Sequence, residues 1–62
     1  MELDQKRVMQ LKKAFRLTWK EIANRGNLNS RQHAFLNWKN KSVRAAEFFG
    51  KIFDINPKDL IK

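Results

Sequence analysis

A chain of 62 residues without a single cysteine can fold only if its own side chains bury one another well. At this length one domain is the limit, spanning residues 1–62, and its small core leaves it marginal alone. Neither a disulfide framework nor a thiolate metal site can reinforce it. The large side chains it has are two Trp, five Phe and a scatter of Leu, Ile and Val. Glycine occurs twice and proline once, which argues for helices joined by short turns rather than strands and long loops. The expectation is a small all-α domain that uses its aromatics economically or pairs with a second copy.

The formal net charge is +8, from fourteen Lys and Arg against six Asp and Glu. Such a charge speaks to partners, not to fold. It points to a polyanion: DNA, RNA or an acidic membrane surface. The plain alternative is a solvated lysine-rich exterior, which is common on small domains. No apolar run approaches the length of a membrane span. The opening Met1-Glu2-Leu3-Asp4 has no basic-then-apolar signal pattern, and the lack of cysteine fits the cytoplasm. A cytoplasmic protein without a membrane partner is therefore expected.

Apolar spacing and capping residues divide the chain into helices. Val8, Leu11 and Phe15 form one stripe, which predicts a first helix over Asp4–Phe15. Thr18-Trp19-Lys20-Glu21 reads as a capping box, with Leu17 and Ile22 placed as its hydrophobic staple. That second helix should stop at Gly26, where glycine suits a left-handed residue. Asn27-Leu28-Asn29 is then a turn, and Asn29 or Ser30 caps a third helix running to about Lys39. Ser42 caps a fourth helix from Val43 to about Asp54, with Val43, Ala46, Phe49, Ile52 and Phe53 facing inward. Asn56-Pro57 opens a last short helix, tied down by Ile55, Leu60 and Ile61.

Two short helices around a tight turn on a basic surface are what a major groove admits. Leu17-Thr18-Trp19-Lys20-Glu21-Ile22-Ala23 resembles the start of the helix-turn-helix in the lambda repressor-like family, the Cro/repressor or XRE type. Trp38 resembles the residue that closes that family's recognition helix. Ser42 to Leu60 resembles its fourth and fifth helices, with Phe49, Phe53, Ile55 and Leu60 at inward positions. The ending Ile55-Asn56-Pro57-Lys58-Asp59-Leu60 is similar to the family's frequent ending. The resemblance spans Val8 to Ile61. It implies a compact four- to five-helix lambda repressor-like domain, phage or bacterial origin, and a transcription regulator that binds operator DNA as a homodimer. The chain departs from the pattern in a longer turn after Gly26 and a shorter loop after Trp38, closer to the phage Ner-like branch.

These departures leave two registers for the third helix. Counting from Ala23 buries His33 and Leu36 and exposes Phe35. Counting back from Trp38 buries Ala34 and Phe35 and exposes Gln32, His33 and Asn37. The second is preferred because a wet Phe costs more. In that register Arg31, Gln32, His33, Asn37 and Asn40 are the candidate base readers. Arg suits guanine, Gln and Asn suit adenine, and Leu36 could meet a thymine methyl. Thr18, Trp19, Lys20, Ser30, Lys39, Lys41 and Arg44 are the candidate phosphate contacts, which position without specifying.

Enzymatic activity has little support. There is no Cys, one His, no paired carboxylates on a shared face and no Gly-rich phosphate loop. No metal, cofactor or small-molecule substrate is expected. The stronger rival is a small basic interaction module, or an inhibitor, that binds an acidic protein. Phe48 is offset from the Phe49/Phe53 stripe and hints at a second, exposed surface. DNA binding requires Lys20, Arg31, Lys39, Lys41 and Arg44 on one face. A protein-binding module would scatter them and expose an apolar patch.

Overall fold

In the computed structural model, which describes residues 1–62, the helices are α1 (Gln5–Ala14), α2 (Trp19–Arg25), α3 (Arg31–Lys39) and α4 (Val43–Phe53). A 3-10 helix, Pro57–Leu60, closes the chain. The domain is all-α, and every element lies within a residue or so of its expected range. No helix is long and apolar enough to cross a membrane.

The starts follow local chemistry. Asp4 accepts the Arg7 N–H at 3.1 Å, Ser42 accepts that of Arg44 at 3.2 Å, and Asn56 accepts that of Lys58 at 3.0 Å. Each satisfies a donor that the first turn leaves unpaired. Pro57 takes the first position of the 3-10 helix, as expected.

The ends hold a surprise. Arg16, Asn27, Lys41 and Asp54 are left-handed, with φ of 53–59°, and no glycine is. After α1, Leu17 N–H reaches Lys12 O at 3.0 Å and Arg16 N–H reaches Lys13 O at 3.1 Å. After α2, Leu28 N–H reaches Ala23 O at 2.8 Å and Asn27 N–H reaches Asn24 O at 3.3 Å. Both are Schellman turns. Gly26, expected to be left-handed, has φ −91°. Asn27 takes that conformation instead, as its short polar side chain allows. Glycine is needed at 26 for space: a Cβ there would overlap the Phe48 ring, standing 2.6 Å from Cζ. Phe48 is accordingly half-buried, not a second exposed surface, and meets Phe49 edge-on at 5.1 Å.

The core joins Val8, Leu17, Ile22, Ala23 and Ala34 to Ala45, Ala46, Phe49, Ile52 and Phe53 of α4, with Leu60 beneath. Phe49 and Phe53 stack at 6.2 Å. Two expected inward residues lie outside it. Val43 is 41% exposed because α4 begins beyond the edge of the core, and Phe15 is 46% exposed while touching Phe53 edge-on at 5.4 Å. Leu28, expected as plain turn, packs against the core. Gly50 is crossed closely by the chain: a Cβ there would stand 2.9 Å from Ile55 O.

Leu3 carries no local signal yet is fully buried. It pairs antiparallel with Ile61 in an isolated bridge. Asp4 N–H reaches Leu60 O at 2.7 Å, Lys62 N–H reaches Glu2 O at 2.8 Å, and Leu3 N–H reaches Lys41 O at 3.1 Å. The two terminal segments thereby clasp each other and the α3–α4 turn.

Helix α3 adopts neither expected register cleanly. Ala34 is buried and His33 exposed, as the count from Trp38 requires. Phe35, however, is 37% exposed, and Asn37 is half-buried rather than open. Nine residues hold one fully buried small side chain, so α3 rides on the surface of the domain by its Ala34–Trp38 edge.

Candidate nucleic-acid interface

The pair α2–α3 is fixed from both ends. At the start of α2 the Thr18 hydroxyl accepts the Glu21 N–H at 3.2 Å, and the Glu21 carboxylate accepts the Thr18 N–H at 3.1 Å. This is the expected capping box, and Leu17 and Ile22 are both buried behind it. The Thr18 side chain is thereby committed to Glu21, which sets a carboxylate beside the first turn. The side chain of Lys20, not the helix end, is what α2 offers an anion.

Trp19 follows the cap and is half-buried. Its ring meets Phe35 edge-on at 5.7 Å and Trp38 at 5.9 Å, and Phe35 lies 5.6 Å from Trp38. Three rings therefore weld the start of α2 to the middle and end of α3. Aromatic pairs at such distances add about 0.5–1.5 kcal/mol each beyond the area they bury. Lys12 of α1 covers the seam, its Nζ 5.2 Å from the Trp19 ring.

The turn Gly26–Ser30 then delivers Arg31 to this seam. Lys20, Asn24, Asn29, Ser30 and Arg31 rim one shallow depression over Leu28. Arg31 also rims the adjoining one, with Trp19, Gln32 and Phe35. The Ser30 side chain makes no capping bond, so its hydroxyl is not committed to α3. Further along, His33, Leu36, Lys39 and Asn40 are exposed. Gln32, Leu36 and Lys39 fall at helical spacing and mark the outward face.

The structure thus brings together Trp19, Lys20, Ser30, Arg31 and Gln32 of the expected set. His33, Lys39 and Asn40 extend the same helix outward, while Asn37 turns partly into the domain. Lys41 sits in the left-handed turn after α3, its carbonyl bonded to Leu3 N–H. Arg44 stands apart. It lines a depression between the end of α2 and α4 with Arg25, Asn27, Glu47 and Lys51, over Phe48. Arg25 and Lys51 were not singled out from the sequence, where nothing distinguishes them from other solvated cations. Asn24 and Asn29 were missed because they lie on α2 and on the turn after it rather than on the helix being read. Phe35 was misplaced because its burial was judged from hydrophobicity alone.

Chemically, the seam offers a guanidinium, an amide, an ammonium and a hydroxyl around aromatic walls. No group of three His, Cys, Asp or Glu side chains converges anywhere on the molecule. No protein-family model, curated protein or solved structure gives a significant match to this chain.

Proposed function

We propose that this chain is a sequence-specific double-stranded-DNA-binding regulator of transcription, a Cro-like or repressor-like cytoplasmic protein of the lambda repressor-like kind. Helix α3 enters the major groove, and the domain acts as a homodimer on a symmetric operator. One observation carries the reading: Lys20, Ser30, Arg31 and Gln32 meet at the α2–α3 seam, and the outward face of α3 beyond them is open. Base edges are read by side chains on a helix lying in the groove, with Arg suited to guanine and Gln to adenine. Arg31 and Gln32 are the principal readers, with His33 and Asn40 further along and Asn37 at the margin. Lys20, Lys39 and Lys41 hold phosphates, joined by Ser30. The net charge of +8 supplies long-range attraction. No catalysis, metal, cofactor or small-molecule substrate is part of this reading.

A second reading, a basic module that binds an acidic protein, draws on two observations. Arg44 lies away from Lys20 and Arg31, and Phe35 and Leu36 are both exposed on α3. Fluorescence binding to a pool of random duplexes at two salt concentrations separates the two. A regulator selects particular duplexes and keeps that preference as salt rises. A module for acidic proteins binds every duplex weakly, with steep salt dependence and no preference, and that result overturns the regulator.

A further inference from the structure

An aromatic ring held half in water beside cationic and amide side chains is placed to meet a partner that is apolar at one point and polar around it. Phe35 has 37% of its surface in water. Its edge-on contact with Trp19, at 5.7 Å and 86°, leaves a notch between two nearly perpendicular rings. Arg31 and Gln32 line the same notch, so its rim is polar and cationic. Lys20 stands over the next depression, shared through Arg31.

We infer that the Trp19–Phe35 notch receives the 5-methyl group of a thymine in the major groove, beside the base pair read by Arg31. This rests on the DNA-binding reading and names the base that the apolar part of the seam selects. Thymine alone among the four bases shows a methyl group next to a hydrogen-bond acceptor, O4, on its major-groove edge. The notch pairs an apolar floor with two donor side chains, which is the complement of that edge. Cytosine shows an amino donor and no methyl at the corresponding positions, so it leaves the notch empty and sets the Arg31 guanidinium, which has no acceptor, against a donor. The positive rim matches the duplex in charge, and a bare apolar partner would leave Arg31 and Lys20 without counter-charge. The Trp19–Trp38 contact behind Phe35 holds the ring in place, so the notch is formed before DNA arrives.

The probe is the duplex recovered by selection from a random pool, with each thymine replaced in turn by deoxyuridine, which lacks only the methyl. The expected result is one thymine per half-site at which uridine weakens binding about fourfold, the value of one buried methyl-sized group, and indifference elsewhere. At that position 5-methylcytosine restores little, because its amino group replaces O4. Replacing the same thymine by 5-iodouracil and irradiating should cross-link Phe35 or Trp19, identified by peptide mass. The cross-link uses the unmodified chain and so does not depend on any variant folding. In Phe35→Ala the uridine effect disappears. Cross-linking to His33, or a uridine effect that survives Phe35→Ala but vanishes in Leu36→Ala, overturns the assignment. Tighter binding to the single strand than to the duplex also overturns it, since the rings would then be stacking bases. A chain that prefers one duplex but ignores every uridine loses this inference and keeps its DNA-binding role. A chain with no preferred duplex loses both.

Discussion

The indole N–H of Trp38 donates to the Gln5 carbonyl at 3.1 Å, and the Gln5 side-chain amide donates to the Trp38 carbonyl at 3.0 Å. This reciprocal clasp joins the first turn of α1 to the end of α3, across 33 residues of sequence. It supplies the indole N–H of a half-buried Trp with a partner, as such groups require. No buried side-chain nitrogen or oxygen in the domain is left without one.

Trp38 should therefore be a stability residue with separable parts. Trp38→Ala removes the ring and its contacts with Trp19 and Phe35, at a cost of about 3 kcal/mol, the lower part of the range for core aromatics because the ring is only half-buried. A domain of this size has roughly 3–5 kcal/mol in all, so the variant should keep at most about 2 kcal/mol and melt far below wild type. Trp38→Phe keeps most of the packing and the Gln5 bond to the backbone carbonyl but loses the indole half of the clasp, at a cost of about 1 kcal/mol. Circular-dichroism melts order the two. A Trp38→Ala melt close to wild type would remove the ring from the fold's supports.

Gly26 and Phe48 should be energetically coupled. Gly26→Ala places a methyl group inside the Phe48 ring, which must move off its seat on Phe49. Overpacking of this kind costs about 1–3 kcal/mol. In a Phe48→Leu background the smaller side chain clears the space, and the same substitution should cost markedly less. Denaturant unfolding of the four species measures the coupling, which should exceed about 0.5 kcal/mol. Simple additivity would show that the glycine serves some other purpose.

Arg16→Gly should stabilise the domain. Arg16 is left-handed, with φ 56°, and exposed. An L residue pays roughly 1 kcal/mol for that conformation, which glycine avoids. Its greater freedom in the unfolded chain offsets part of this. The net expectation is a gain of about 0.5 kcal/mol, read as a raised melting temperature. A lowered one would mean that the Arg16 side chain makes a stabilising contact of its own.

On DNA, two kinds of variant should differ in signature. Arg31→Ala or Gln32→Ala should cost about 1–3 kcal/mol on the preferred duplex and blur the preference at one position. Lys20→Ala or Lys41→Ala should weaken binding to every duplex alike, and should flatten the plot of log affinity against log salt by about one unit. Titrations at four salt concentrations distinguish them. Equal losses on all duplexes from Arg31→Ala would end its assignment as a base reader.

Self-association is expected to accompany operator binding. Sedimentation of the chain alone and on its preferred duplex should show two copies per operator. A strict monomer in both states, at high concentration, would exclude the homodimer.

What the sequence by itself determined is whatever acts within about one helical turn. Thr18 and Glu21 cap α2 because they stand three residues apart; Asn56-Pro57 opens the last helix because both groups belong at a first turn; Phe49, Ile52 and Phe53 share the inner stripe of α4 by spacing alone. The charge needed for a polyanion, and the polar residues of α3, were equally visible. Tertiary structure decided the rest. Leu3 is buried only because the C-terminal segment returns to pair with it, and Gly26 is required only because Phe48 arrives from α4. Arg44 is drawn away from Lys20 and Arg31 by the direction of α4, which no local spacing encodes. Phe35 shows the division most clearly. Its hydrophobicity argued for the interior, but Ala34 and Trp38 took the inward edge of α3, and Trp19 could shield only one side of its ring. Hydrophobicity states what burial is worth to a side chain; the packing of neighbouring helices decides which side chains obtain it.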